Sequence, residues 1–346
     1  MSLILYLTRI HFADGVLEDA LGEEAKRHAI ARPLILTENS PAAAPWLDRV
    51  IDALPGKAPP TLVSADPQGP AAADRQRVQT ALNEGACDGI VALGERRTLD
   101  LSRVFAAADV PVIALPTTTE TIGLGPIAPH IWSRPARRPP VPSAILCDPT
   151  LTTGLDPAAT AAAGMGVLVQ CLESFLSTTF NPPADGIALD GLRRAAGSLE
   201  RSVADGADLD ARRDLLAAAL NAGLAAEKGF GGIEAAAHGL EAASHRRAGR
   251  FRGALLAKVL AFNAPAIEDR FAAIRATLGL PPRADIAAHL SALAERIGLP
   301  LSLSEAGIAA PVLPDAAARA AADPANRTNP RHAIATDYES ILRATL

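Results

Sequence analysis

Apolar runs and amphipathic segments alternate through the first 150 or so residues, and then the runs stop. ALGEEAKRHAI (20–30) is amphipathic and leads into PLILTENS (33–40), an aliphatic run closed by polar turn residues. TLVSAD (61–66), DGIVALG (88–94) and PVIALPTTT (111–119) follow as short strands, with helical stretches between them at 74–86 and 98–108. Apolar strands alternating with helices make βαβ units and a parallel sheet covered on both faces. The Pro-dense segment RPARRPPVP (134–142) cannot be a regular helix or a central strand. It reads as a loop or edge arm ahead of AILCDPTLT (144–152). Beyond it only helical periodicity remains, at 156–178, 183–204, 207–228, 231–245, 252–263, 265–278, 282–297 and 332–345. The expected fold class is therefore an α/β N-terminal Rossmann-like domain over 1–152 and an all-α C-terminal domain over 153–346. Turn chemistry in DPTLTTGLDP (148–157) marks the boundary.

Composition narrows the partners. A net charge of −5 attracts neither nucleic acid nor an anionic membrane surface. No apolar run reaches the 18 or so residues of a membrane span, and the start MSLILYLTRIHFADG has no basic leader or cleavage site. Cys87, Cys147 and Cys171 have neither disulfide-framework nor zinc spacing. These features predict a cytoplasmic protein with reduced thiols, acting on small molecules.

One helix is oddly built. TAAAGMGVLVQCLESF (160–175) is largely apolar, with two odd insertions, Gly166 and Gln170, which lie four apart on one face. A glycine inside a helix costs roughly 1 kcal/mol against alanine. A buried glutamine must find hydrogen-bond partners.

The order of short motifs resembles the iron-containing alcohol dehydrogenase superfamily, with its dehydroquinate synthase-like fold, along essentially the whole chain. DGIVALGERRTLDLSR (88–103) looks like that superfamily's strand, glycine loop and helix, and LPTTTET (115–121) like its second nucleotide loop. CDPTLTTGLDPAATAAAGMGVLVQCLESF (147–175) looks like its interdomain strand and first metal-bearing helix. GFGGIEAAAHGLEAASHRRAGR (229–250) looks like the segment with the remaining ligands. KVLAFNAP (258–265) and NPRHAIATDYESILRATL (329–346) complete the order, and the maleylacetate reductases are the nearest branch. The resemblance implies NAD(P)H as cofactor and a homodimer joined through N-terminal strands.

Residue by residue, the motifs depart from the pattern. The glycine tetrapeptide is Gly94-Glu95-Arg96-Arg97, followed by the family aspartate at Asp100. A pyrophosphate needs open backbone N–H groups at a helix start. Glu95 opposes it, while Arg96 and Arg97 could compensate. Thr117, Thr118 and Thr121 stand at family hydroxyl positions, and Glu38, in the first βα turn, could accept from a ribose hydroxyl and favour NAD over NADP. The altered loops count against dinucleotide binding. The four metal-ligand positions map to Gly166, Gln170, Glu234 and Ala248, too few donors for a divalent catalytic site. No metal is therefore expected.

His238, just after the third ligand position, is the candidate general acid or base, with Glu234 one turn before it. His245, Arg246, Arg247, Arg250 and Arg252 form a basic run that suits a small anionic substrate; Lys228 and Gln170 join it as substrate candidates. Arg134, Arg137 and Arg138 in the Pro-rich arm are a second basic group. Three functions follow. The first is a metal-independent NAD(P)H-dependent reductase of a carboxylate-bearing carbonyl or enoyl compound. The alternatives are non-redox chemistry by His238 and Glu234, as in a lyase, hydrolase or isomerase, and a non-catalytic homologue.

Overall fold

The computed structural model describes residues 8–38, 44–56, 59–66, 69–127 and 140–346. Arg134, Arg137 and Arg138 lie outside the described residues. Contacts divide the chain into two units. One runs through Leu155 and takes in Gly206–Leu216; the other holds Asp156–Asp205 and Ala217–Leu346.

The first unit is built on six parallel strands: β1 (Arg9–Phe12), β2 (Pro33–Glu38), β3 (Thr61–Ala65), β4 (Gly89–Gly94), β5 (Val112–Pro116) and β6 (Ala144–Cys147). Their order is β1-β6-β5-β4-β2-β3. The inner strands β4, β5 and β6 are buried at every position, as continuous aliphatic runs require when both faces are covered. Side chains alternate between the faces. Ile35, Val91, Leu93, Ile113 and Leu115 form one core with Leu17 and Leu21 of α1 (Val16–Arg27) and with α2 (Ala44–Ala53). The other face receives α3 (Ala71–Glu84) and α4 (Arg96–Ala106), the latter through Leu99, Leu101 and Phe105.

The remaining elements are helices: α5 (Pro157–Leu176), α6 (Pro182–Ala204), α7 (Leu209–Ala225), α8 (Gly232–Ser244), α9 (Arg252–Thr277), α10 (Ile286–Arg296), α11 (Leu313–Ala322) and α12 (Ala335–Arg343). α5 starts with Asp156 accepting from Ala159 N–H at 2.8 Å and Pro157 in the first turn. Contrary to the expectation of no span-length apolar segment, α5 is long and apolar enough to cross a membrane. It is instead a core helix, mostly buried and packed by α6, α8 and α9.

Four elements differ from the sequence expectation. β1 and α2 fall in stretches given no element, and so does α11, whose alanine-rich LPDAAARAAA has little polar contrast. The two helices expected on either side of residue 264 are one, α9, with Pro265 inside it. Proline removes one N–H donor, but the helix continues around that gap.

Candidate functional site

Two constellations carry the expected site residues, one in each unit. In the first unit, the chain leaves β2 for α2 on one face of the sheet and β4 for α4 on the other. The carboxyl ends of these paired strands are thus a topological switch point, where open α/β sheets bind ligands. β4 ends at Gly94, and Glu95, at the N-cap of α4, makes no side-chain capping hydrogen bond. Glu38, at the end of β2, reaches across instead. Its Oε1 accepts from Glu95 N–H at 2.9 Å, and its Oε2 accepts from the Thr98 hydroxyl. A Cβ on residue 94 would collide with this carboxylate, so Gly94 is what lets Glu38 close onto the helix.

The charged residues expected to grip a phosphate have carboxylate partners in this structure. Arg97 binds Asp74 through Nε at 3.1 Å and Nη2 at 2.7 Å, and donates to Gly69 O at 2.6 Å. Arg96 lies 3.6 Å from Asp100 and 3.8 Å from Glu120. Asp100 is buried against Arg103 at 3.1 Å, and burial lowers the pKa of that guanidinium despite the pairing. Thr118 accepts from Glu120 N–H, and Thr121 accepts from Gly123 N–H and donates to Leu124 O, so both hydroxyls serve local turns. Thr117 and Thr119 are different. Their hydroxyls are buried without a hydrogen-bond partner, on the loop where Thr117 N–H donates to Gly94 O at 3.1 Å.

In the helical unit, Arg252 explains the odd helix. Its guanidinium lies over Gly166, where a Cβ would stand 3.0 Å from Nη1. Nε and Nη2 reach Oε1 and Oε2 of Glu234 at 2.6 and 3.0 Å, with both residues fully buried. Burial alone would raise the Glu234 pKa, but the charges and hydrogen bonds of Arg252 and His238 hold it far below the usual carboxylate range. His238 bridges two carboxylates, with Nε2 3.3 Å from Glu234 and Nδ1 3.1 Å from Asp323. Burial would lower the imidazole pKa; hydrogen bonds to Asp323 and Glu234 outweigh it and push the group up to about 9. Near neutrality His238 is thus a held imidazolium, paired with the Glu234 expected beside it and with both nitrogens engaged.

Behind this pair stands Glu173, which accepts from Gly231, Ile233 and Glu234 N–H at 3.0, 2.6 and 3.0 Å and so caps α8. Burial and the nearby Glu234 push its carboxyl up to about 8, against the three donors. Lys228 does not present itself to a substrate as expected. It is fully buried, with Nζ donating to Ser174 O and Phe175 O at 2.8 Å each and pairing with Asp185. It is a C-cap for α5. His245 ends α8 in the left-handed region, and it and Arg246 are exposed, while Gln170 is half-buried. The basic run therefore splits: Arg252 turns inward and His245, Arg246, Arg247 and Arg250 outward.

Sequence reasoning did not single out Glu173, Asp323 or Asp74 as the partners that hold these groups. A glutamate inside an otherwise apolar helix was the available signal for Glu173. Asp74 and Asp323 lie 23 and 85 residues from the groups they bind, beyond any local pattern.

Two family models match the chain: "Iron-containing alcohol dehydrogenase" over residues 8–121 and "Fe-containing alcohol dehydrogenase family, C-terminal" over 160–346. A 4-hydroxybutyrate dehydrogenase of Cupriavidus necator is 33% identical, covering 100% of both chains. Maleylacetate reductase 2 of Cupriavidus pinatubonensis is 31% identical over 78% of this chain and 76% of its own. A sulfoacetaldehyde reductase of Bifidobacterium kashiwanohense, solved with NAD+, superposes with a TM-score of 0.86 at 21% identity, covering 100% of this chain and 98% of that one.

These likenesses correct the expectation of a metal-free chain with a doubtful dinucleotide. The family is defined by iron, and its members normally use NAD(P). The four mapped positions do not themselves fit an iron ion. Gly166 and Ala248 offer no side-chain donor, both oxygens of Glu234 are held by Arg252, and among the described residues no group of three or more His, Cys, Asp or Glu could hold a metal. The buried, unpartnered hydroxyls of Thr117 and Thr119 do fit a dinucleotide at the switch point. By two family models and by full-length likeness, the chain belongs to the iron-containing alcohol dehydrogenase family, related to the maleylacetate reductases.

Proposed function

We propose that this chain interconverts a short ω-hydroxy carboxylate and its semialdehyde, with a nicotinamide dinucleotide as redox partner. The observation that carries this reading is the end-to-end likeness to a 4-hydroxybutyrate dehydrogenase. A bound dinucleotide supplies the hydride for reduction and accepts it in oxidation. The chain's own contribution is binding and orientation. Thr117 and Thr119 offer two buried hydroxyls beside the Gly94 turn. Arg246 is exposed as a residue, with its guanidinium over Gly307, and the planar fork suits a substrate carboxylate. His238 holds its proton between Glu234 and Asp323 and acts as a positioning charge.

The test is turnover of NADH and NADPH with succinate semialdehyde, in the presence of Fe(II), with butyraldehyde as the uncharged comparison and maleylacetate as the enoyl one. A preference for succinate semialdehyde over butyraldehyde of about tenfold or more in kcat/KM is expected from a charge-assisted carboxylate contact. An equal or reversed preference overturns the carboxylate reading. Faster turnover of maleylacetate moves the substrate class to enoyl carboxylates, and no turnover with either cofactor overturns the redox reading.

A further inference from the structure

We propose that Glu38 is a resident anion in the phosphate cradle of α4, and that it sets how tightly a dinucleotide's pyrophosphate is held. The proposal rests on the dinucleotide being the redox partner.

The start of an α-helix offers backbone N–H groups and the positive end of the helix dipole to an anion. α4 rises from the switch-point strand β4, and its N-cap residue Glu95 makes no side-chain capping hydrogen bond. The anion received there belongs to the chain itself. Glu38 Oε1 takes Glu95 N–H at 2.9 Å, Oε2 takes the Thr98 hydroxyl, and the residue is 7% exposed. Gly94 leaves the space that the carboxylate fills. An incoming pyrophosphate and this carboxylate compete for the same N–H group, and like charges at contact distance repel strongly where water is scarce.

A second observation marks the place as a binding site. Thr117 and Thr119, on the adjoining β5 loop, keep buried hydroxyls with no partner, and Thr117 is joined through its backbone to Gly94. Unsatisfied buried hydroxyls are uncommon in a finished core and are explained where a ligand completes them. Nearby, Arg96 faces Asp100 and Glu120, and Arg97 faces Asp74. Dinucleotide binding here therefore requires the Glu38 side chain to leave the helix start. Wild-type affinity is lowered by the free energy of that displacement.

The proposal is tested by calorimetric titration of ADP, NAD+, inorganic pyrophosphate and adenosine into wild type, Glu38→Gln and Glu38→Ala. Removing the charge is expected to tighten ADP, NAD+ and pyrophosphate by about tenfold or more, and to leave adenosine, which has no phosphate, unchanged. Unchanged or weaker ADP binding by both variants overturns the proposal, as does equal tightening of adenosine. If wild type and variants all fail to bind NAD+ while the variants gain pyrophosphate, the NAD+ reading fails and the resident-anion role stands. Thr98→Val, which removes the hydroxyl that holds Glu38, covers the case of a misfolded Glu38 variant. It is expected to tighten ADP about threefold with adenosine unchanged, and no tightening overturns the proposal.

Discussion

Arg252 and Glu234 form a bidentate ion pair sealed from solvent, joining the first turns of α8 and α9. A buried pair of this kind is costlier to break than to replace, because removing one partner strands the other's charge. Arg252→Ala and Glu234→Ala are each expected to lose about 3 kcal/mol or more of stability in urea unfolding. The double variant E234L/R252M is expected to recover most of that loss. Additive losses in the double variant would contradict the pairing.

His238 makes stability depend on pH. Its folded pKa of about 9 lies above its ordinary 6.5, so the folded state binds the proton more tightly. The stabilisation is fully present below pH 6.5 and is lost as pH rises through 9. The melting temperature should fall across that window, and less steeply in His238→Gln. Identical slopes in the two proteins would show that the imidazole is not held by Glu234 and Asp323.

Two helix glycines should respond in opposite directions to alanine. Gly239 on α8 faces the Ala316 carbonyl of α11, which a methyl group would strike; Gly197 on α6 faces open space. Gly197→Ala is expected to stabilise by up to about 1 kcal/mol through helix propensity. Gly239→Ala is expected to destabilise by about 2 kcal/mol through overpacking. Thermal melts of the two variants give the comparison.

Lys228→Met keeps the length of the side chain and removes its donors. Ser174 O loses this donor, and Phe175 O and Asp185 are left with Arg270, for an expected loss of about 3 kcal/mol. The loss should shrink in an Asp185→Asn background. A surface lysine would show no such coupling.

If Arg246 grips the substrate carboxylate, Arg246→Gln raises KM for succinate semialdehyde by about tenfold. KM for butyraldehyde stays the same. Equal changes for the two aldehydes would place Arg246 outside substrate recognition.

The layered α/β unit was legible because β4 and β5 are apolar throughout and β2 begins as an aliphatic run, each bounded by turns. Helix existence was legible as well, but contrast limited it. The Arg9–Phe12 strand is short and half polar, and it is defined by its pairing with β6 rather than by its composition. At the site, Gly166 and Gln170 announced that something was unusual. Which side chain filled the space was not visible, because Arg252 lies 86 positions away and reads as part of a basic run. The same holds for Glu38, whose partners at 95 and 98 are local to α4 but not to β2. Sequence shows which positions are anomalous; pairings across elements show what the anomaly accommodates.

The all-round apolarity of α5 also matters before the protein is complete. During synthesis Pro157–Leu176 leaves the ribosome ahead of α6, α8 and α9, the helices that cover it. For that interval the nascent chain displays a helix able by length and apolarity to enter a bilayer. A chain synthesised N-terminus first at about 5–20 residues per second exposes this surface for seconds.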